Sequence, residues 1–248
     1  NNLKQFGLAM HNYHDVFNSF PPGFVVRKWD SPAQQGFGWS YMLLPYLDQA
    51  PLYNSLRPEG QGLGEAADDP ANLKAMKTPL TVARCPTDLL GPDNPYRGNW
   101  PTSNYSANAG SLPFPRLASG TVADYWPGHI AAIHPVGPKN SGPEQRFNGI
   151  FAVNSKVGIR DILDGTSNTI LAAERGASSL AGIWLGVTSS THENDALTEV
   201  SHMSRPNQSL TGYSSQHAGG FQMLLADGSV RFVQETISSA PLRNGKPQ

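Results

Sequence analysis

Leu3, Phe6, Met10, Tyr13 and Phe17 recur at spacings of three and four, which draws one apolar stripe along a helix. The helix is expected over residues 1–17, within an N-terminal unit that ends near residue 20, because Pro21-Pro22-Gly23 stops it. No clear capping residue opens it, so it is expected to continue an apolar helix that precedes Asn1 in the native protein. Trp39–Leu56 (WSYMLLPYLDQAPLYNSL) reads as two short helical pieces split at Pro45 and Pro51, and residues 59–75, polar and rich in Gly and Ala, as a surface loop. Pro79–Cys85, Thr169–Ala173 and Leu180–Val187 read as strands, the last buried on both faces, and Ile159–Leu163 as a helical turn. Near the C-terminus, Phe221–Ala226 and Ser229–Val233 are β-prone runs separated only by Asp227 and Gly228. A two-residue Asp-Gly link predicts a hairpin with a type I′ turn, which needs positive φ at both positions. Alternation puts Val230 and Phe232 on one face of its second strand and Ser229, Arg231 and Val233 on the other.

Composition changes this picture in the loops. The chain of 248 residues carries 25 glycines and 21 prolines, far above globular usage, so many turns and long loops are expected. From 86 to 147 no periodicity holds, yet Tyr96, Trp100, Tyr105, Phe114, Tyr125 and Trp126 fall there. Disordered segments are poor in aromatics, so this is read as an aromatic loop insertion of the kind that forms binding surfaces. Charge is balanced at a net −1; with no basic field, nucleic acid is not an expected partner. The longest apolar runs fall far short of the ~20 residues that span a bilayer, so the chain as given is expected to be soluble.

Candidate chemistry is sparse. A single cysteine, Cys85, excludes an internal disulfide framework and any multi-cysteine metal site; with no histidine near it in sequence, it reads as a half-buried structural thiol. His11 and His14 lie one helical turn apart, a metal-ligating spacing that lacks further ligands in view. His217 and Asp227 are separated by nine residues; an extended span of roughly 33 Å puts them at opposite ends of the hairpin. The turn cluster Asp164-Gly165-Thr166-Ser167-Asn168 is held by side chains that bond nearby backbone. Asp161, Asp164 and Asn168, or His192-Glu193-Asn194-Asp195, are oxygen-rich sets suited to calcium, without the EF-hand spacing. No phosphate-cradling loop, nucleophile elbow or zinc-protease helix occurs.

Five stretches carry a family resemblance: NNLKQFGLAMHNYHDVFNSFPPG at the start, RCPTD at 84–88, NYSANAG at 104–110, DILDGTSNTILAAER at 161–175 and HAGGFQMLLADGSVRFV at 217–233. Together they resemble the large bacterial prepilin-like family of unknown function defined by a C-terminal His, nine residues, then Asp-Gly. The resemblance implies a relation to type IV pilins and type II secretion pseudopilins, with a cleaved leader and an apolar anchor helix continuous with the helix that starts here. It also implies a cysteine just before NNLKQ, with which Cys85 would pair in the full-length protein at an oxidising location. Some relatives are labelled solute-binding. The family's activity is not established, so no catalytic residue carries over.

The reading is therefore one α+β, pilin-like domain over 1–248: an N-terminal helix packed on an antiparallel sheet, the aromatic insertion at 86–147 and the hairpin at 217–234. The expected function is that of a non-enzymatic, membrane-anchored protein of the cell surface or periplasm that presents a ligand-binding surface to extracellular polysaccharide. Trp100, Trp126, Tyr125 and Tyr96 are the expected contacts; Asp227, Gly228, His217, Asp164 and Gly165 are expected to be structural. No cofactor is required, and calcium is the ion the oxygen sets would take. Other pilin-like subunits and the membrane are the remaining partners. The alternatives are a purely structural subunit of a filament or secretion apparatus, and an extracellular glycan hydrolase.

Overall fold

The computed structural model describes residues 1–25, 36–56, 62–110, 149–152, 154–188, 195–200, 206–210 and 212–237. In chain order the named elements are α1 (Asn2–Phe17), β1 (Gly36–Phe37), α2 (Trp39–Met42), α3 (Ala50–Ser55), α4 (Leu63–Ala67), α5 (Pro70–Met76), β2 (Asp93–Asn94), β3 (Trp100–Ser103) and β4 (Tyr105–Gly110). They continue with β5 (Ile170–Glu174), β6 (Gly182–Ile183), β7 (Gly186–Val187), β8 (Leu197–Glu199), β9 (Gly220–Leu225) and β10 (Val230–Gln234). The main sheet has the order β10-β9-β5-β4-β8, and smaller sheets pair β1 with β7 and β2-β3-β6. Main-sheet pairs are antiparallel except at the edge, where β8 runs parallel to β4. The class is α+β, with the N-terminal helix on an antiparallel sheet in a pilin-like arrangement.

The first helix follows its stripe. Leu3, Phe6 and Met10 are buried in one core with Ala107, Leu171 and Leu224 of the sheet, while Tyr13 is half-buried on its margin. Phe6 packs its ring against Trp39 and Tyr105, with centroids 5.2 and 5.5 Å away. The stripe fails at its end: Phe17 is exposed, with its ring tilted against that of Tyr13. Gly7 is a point of close approach, since a Cβ there would lie 2.8 Å from a Leu224 methyl.

The terminal hairpin forms, but with a different turn. Pairing of Val230 with Leu224 leaves Ala226, Asp227 and Gly228 as a three-residue loop, closed by the Leu225 N–H on the Ser229 carbonyl at 2.9 Å. Of these only Gly228 has positive φ, at +79°, so this is the three-residue turn ending in a left-handed glycine, not type I′. The reason lies in the 164–168 cluster, which grips the turn: the Ala226 and Asp227 N–H groups donate to the Thr169 and Thr166 carbonyls at 2.8 and 3.1 Å. Gly165 itself turns at φ +87°, and the Asn168 side-chain amide donates to the Asp164 carbonyl at 3.0 Å. Phe232 is exposed, whereas Val230 reaches the main core and Val233 a second cluster around Tyr213 and Phe221.

Four further expectations are corrected. The 59–75 stretch contains α4 and α5, because Leu63, Ala66 and Met76 have a core to bury in and Asp69 caps α5 through the Ala71 N–H at 2.7 Å. Pro79–Cys85 is not a strand; Thr81–Ala83 forms a single 3-10 turn. Leu180–Val187 is buried but split into β6 and β7, which join different sheets. Within 86–147 lie β2, β3 and β4, and β4 sits between β5 and β8 in the main sheet. Its sequence, YSANAG, lacks apolar alternation because its polar groups are bonded inside the protein: Ser106 donates to the Ala196 carbonyl at 3.1 Å, and Thr198 donates to Ser106 at 2.7 Å. Residues 111–148 lie outside the described residues.

Candidate functional site

The site forms where the main sheet splits. β5 pairs with β9 as far as Ala173 opposite Met223; beyond that, the Glu174 carbonyl accepts from the Ser214 N–H at 2.9 Å. The segment around Ser214 thus takes the place of β9, and the Gln222 N–H loses its ladder partner. The Glu174 carboxylate replaces it: Oε2 accepts that N–H at 2.7 Å. A buried N–H left without an acceptor is costly, so this bond fixes the carboxylate at the end of β5.

Two more side chains meet Glu174 there. His217 precedes the Gly219-Gly220 bend, with its own N–H on the Ser215 hydroxyl at 3.1 Å, and its Nε2 lies 3.2 Å from Glu174 Oε1. Cys85 follows the 3-10 turn; its Sγ is 3.8 Å from His217 Nε2 and 3.9 Å from Glu174 Oε1. The thiol is held in place by Asn104, whose Oδ1 accepts the Cys85 N–H at 2.9 Å and whose carbonyl accepts the Arg175 N–H at 2.7 Å. Cys85 and Glu174 are buried, and His217 is a third exposed on its side chain. The thiol is thus buried rather than half-buried, and a histidine stands beside it; the sequence gap of 132 residues to that histidine concealed the contact.

These groups face a cavity of about 540 Å³, lined by the first turn of α1 and by Cys85, Tyr105, Glu174, His217, Gln222 and Val230. That volume falls in the ~300–1,000 Å³ range of small-ligand sites. Burial, with Cys85 and Glu174 nearby, pushes the Tyr105 hydroxyl well above its ordinary range, against the effect of Asn2. It is a neutral hydroxyl at physiological pH. Among the described residues Glu174 is the one carboxylate of this lining, so among them the paired carboxylates of glycoside hydrolysis do not meet there.

The expected aromatic contacts divide. Tyr96 is exposed, at 56%. Trp100 is half-buried against the core, with the Lys77 ammonium 4.1 Å from its ring centroid. Tyr125 and Trp126 lie outside the described residues. Asp227 and His217 stand at opposite ends of β9, as their spacing requires. His11 and His14 do not converge: His14 Nε2 accepts the Ile159 N–H at 3.1 Å, whereas His11 packs edge-on to Phe20.

Two residues of the oxygen-rich sets have partners within the protein. Asp195 is fully buried and accepts from Arg97 at 2.8 Å and from the Thr188 hydroxyl at 2.6 Å; residues 192–194 lie outside the described residues. Asp161 accepts the Gly158 N–H at 2.8 Å. Among the described residues, the one group of three or more His, Cys, Asp or Glu whose donor atoms converge is Cys85, Glu174 and His217, all within 4.8 Å of one another. A glutamate ending an otherwise apolar strand, LAAE, was the signal that could have found it, since a charge at such a place needs a partner.

Fold and site define an α+β protein whose cavity, between the N-terminal helix and the sheet, is lined from five separated stretches of one chain. The sequence matches the family model SBP_bac_10, described as protein of unknown function (DUF1559), over residues 1–240, and the chain belongs to that family. Neither the curated proteins nor the solved structures give a match. Among the described residues, no helix is long and apolar enough to cross a membrane.

Proposed function

We propose that this chain is the folded domain of a pilin-like, extracytoplasmic protein, anchored through an extension of α1, that captures a small polar ligand in the cavity beneath that helix. One observation carries the reading. The start of α1, RCPTD, NYSANAG, LAAER and HAGGFQ each contribute to the cavity lining, and these belong to the five stretches on which the family resemblance rests. The lining supplies what such sites use, apolar walls with a few placed polar groups. Polysaccharide recognition through the aromatic insertion has less support, because the Lys77 ammonium lies over the Trp100 ring.

The test is thermal stabilisation of the 248-residue protein by a panel of sugars, oligosaccharides, amino acids and divalent cations. A ligand of the cavity raises the melting temperature of the wild type and of Trp100→Ala but not of Glu174→Gln. Oligosaccharide binding lost in Trp100→Ala and intact in Glu174→Gln would return the site to the aromatic insertion. A second reading, a purely structural filament subunit, is favoured by the exposed Leu8, Val16 and Phe17 of α1. In that case the full-length protein would sediment with fibres and no member of the panel would stabilise the domain.

A further inference from the structure

We propose that Cys85 Sγ, His217 Nε2 and Glu174 Oε1 are three ligands of a zinc-class divalent ion whose fourth position opens into the cavity. The inference rests on the reading of this cavity as the ligand site and names what anchors the ligand; it takes Cys85 as the free thiol it is here, in place of the disulfide that the resemblance implies for the full-length protein. The spacing fits. Donors on a tetrahedral zinc, with bonds of about 2.0–2.3 Å, stand about 3.3–3.6 Å apart. The three separations here, 3.2, 3.8 and 3.9 Å, depart from that by less than about half an ångström.

The direction of the contacts separates a metal site from a catalytic thiol. In a Cys-His-carboxylate triad the nucleophile and the carboxylate engage opposite ring nitrogens. Here thiol and carboxylate both approach Nε2, so the three donor atoms form one compact triangle, with the thiol also 3.1 Å from the Thr87 hydroxyl. Each is held from behind: Glu174 by the Gln222 N–H on its other oxygen, the Cys85 backbone by Asn104, and the His217 backbone by Ser215. A thiolate with an imidazole selects zinc-class ions over calcium or magnesium, which take oxygen donors. Three protein ligands and one open position are the pattern of sites that bind an exchangeable group. That group would be a small anion or a polar solute admitted through the cavity.

The metal-stripped 248-residue protein, titrated with Co²⁺ and then Zn²⁺, tests this. The expected result is one Co²⁺ per chain, a near-ultraviolet thiolate-to-metal band with visible bands of four-coordinate cobalt, and loss of all of them on adding Zn²⁺. Cys85→Ser should abolish the thiolate band. His217→Gln, at a partly exposed position and checked for a native circular dichroism spectrum, should weaken Zn²⁺ binding by about 100-fold or more, at least the loss seen when outer-shell partners are removed. Absence of the band in wild-type protein with a native circular dichroism spectrum would overturn the metal site. So would binding that both variants retain, or rapid alkylation of Cys85 that needs His217 and ignores Zn²⁺. If metal fails while a solute still stabilises wild type and not Glu174→Gln, the cavity reading stands without the metal. If solute stabilisation fails as well, both fall.

Discussion

Single residues here do work that their sequence neighbourhood does not announce. Asp195 sits in a His-Glu-Asn-Asp run whose chemistry suits calcium, and it is buried against Arg97 and Thr188. Arg97 in turn donates to the Leu180 and Ala181 carbonyls at 3.5 and 3.3 Å, residues with left-handed backbone at φ +62° and +27°. Removing one partner of a buried pair strands the other charge, so Asp195→Ala should cost about 3–5 kcal/mol in urea denaturation. Calcium should not alter the wild-type midpoint by way of this residue. Nearby, burial pushes Arg175 down to about 9, with Arg97 adding to the shift and Asp195 opposing it; it remains charged at neutral pH.

Asp227 is the exposed counterpart. Hydrogen bonds from the Ser229 hydroxyl and backbone N–H, at 2.6 and 2.9 Å, hold its carboxyl below the ordinary range. A carboxyl whose pKa is lower folded than unfolded stabilises the fold above the unfolded value and loses that contribution as pH falls through the folded one. Any stability advantage of wild type over Asp227→Asn should therefore shrink as pH drops from 7 towards 3. A gap that stayed constant with pH would contradict this role.

At the scale of elements, the first helix and the terminal hairpin were legible because each is specified locally, by an apolar stripe and by an Asp-Gly link. The hairpin's turn type was not, since it is decided by the 164–168 loop some sixty residues away. β4 was illegible for a related reason. A strand buried on both faces against close neighbours uses small and polar residues, and its Ser, Asn and Gly read as loop. Helix and sheet come close at Gly7. Gly7→Leu must displace α1 from Leu224 and should destabilise the domain by about 1–3 kcal/mol, the range for overpacking. A guanidinium melt that shows no change would mean that α1 is not seated on β9 as described.

For the whole molecule, the sequence disclosed the parts of the site but not their meeting. Cys85, Glu174 and His217 were visible as a lone thiol, a strand-end carboxylate and a motif histidine, separated by 89 and 43 residues. Only the divergence of β9 from β5, and the Asn104 link from the 3-10 turn to Arg175, brings them to one wall of one cavity. The expected binding surface was placed by composition on the aromatic insertion, whereas the described geometry concentrates donor atoms beneath α1. The most direct measurement is an anomalous difference map, at the zinc edge, from crystals of the 248-residue protein grown with Zn²⁺. The expected result is a peak at about 2.0–2.3 Å from Cys85 Sγ, His217 Nε2 and Glu174 Oε1, with the remaining ligand position facing the cavity. A map with the three side chains ordered and the peak absent, or bound to other residues, would contradict it.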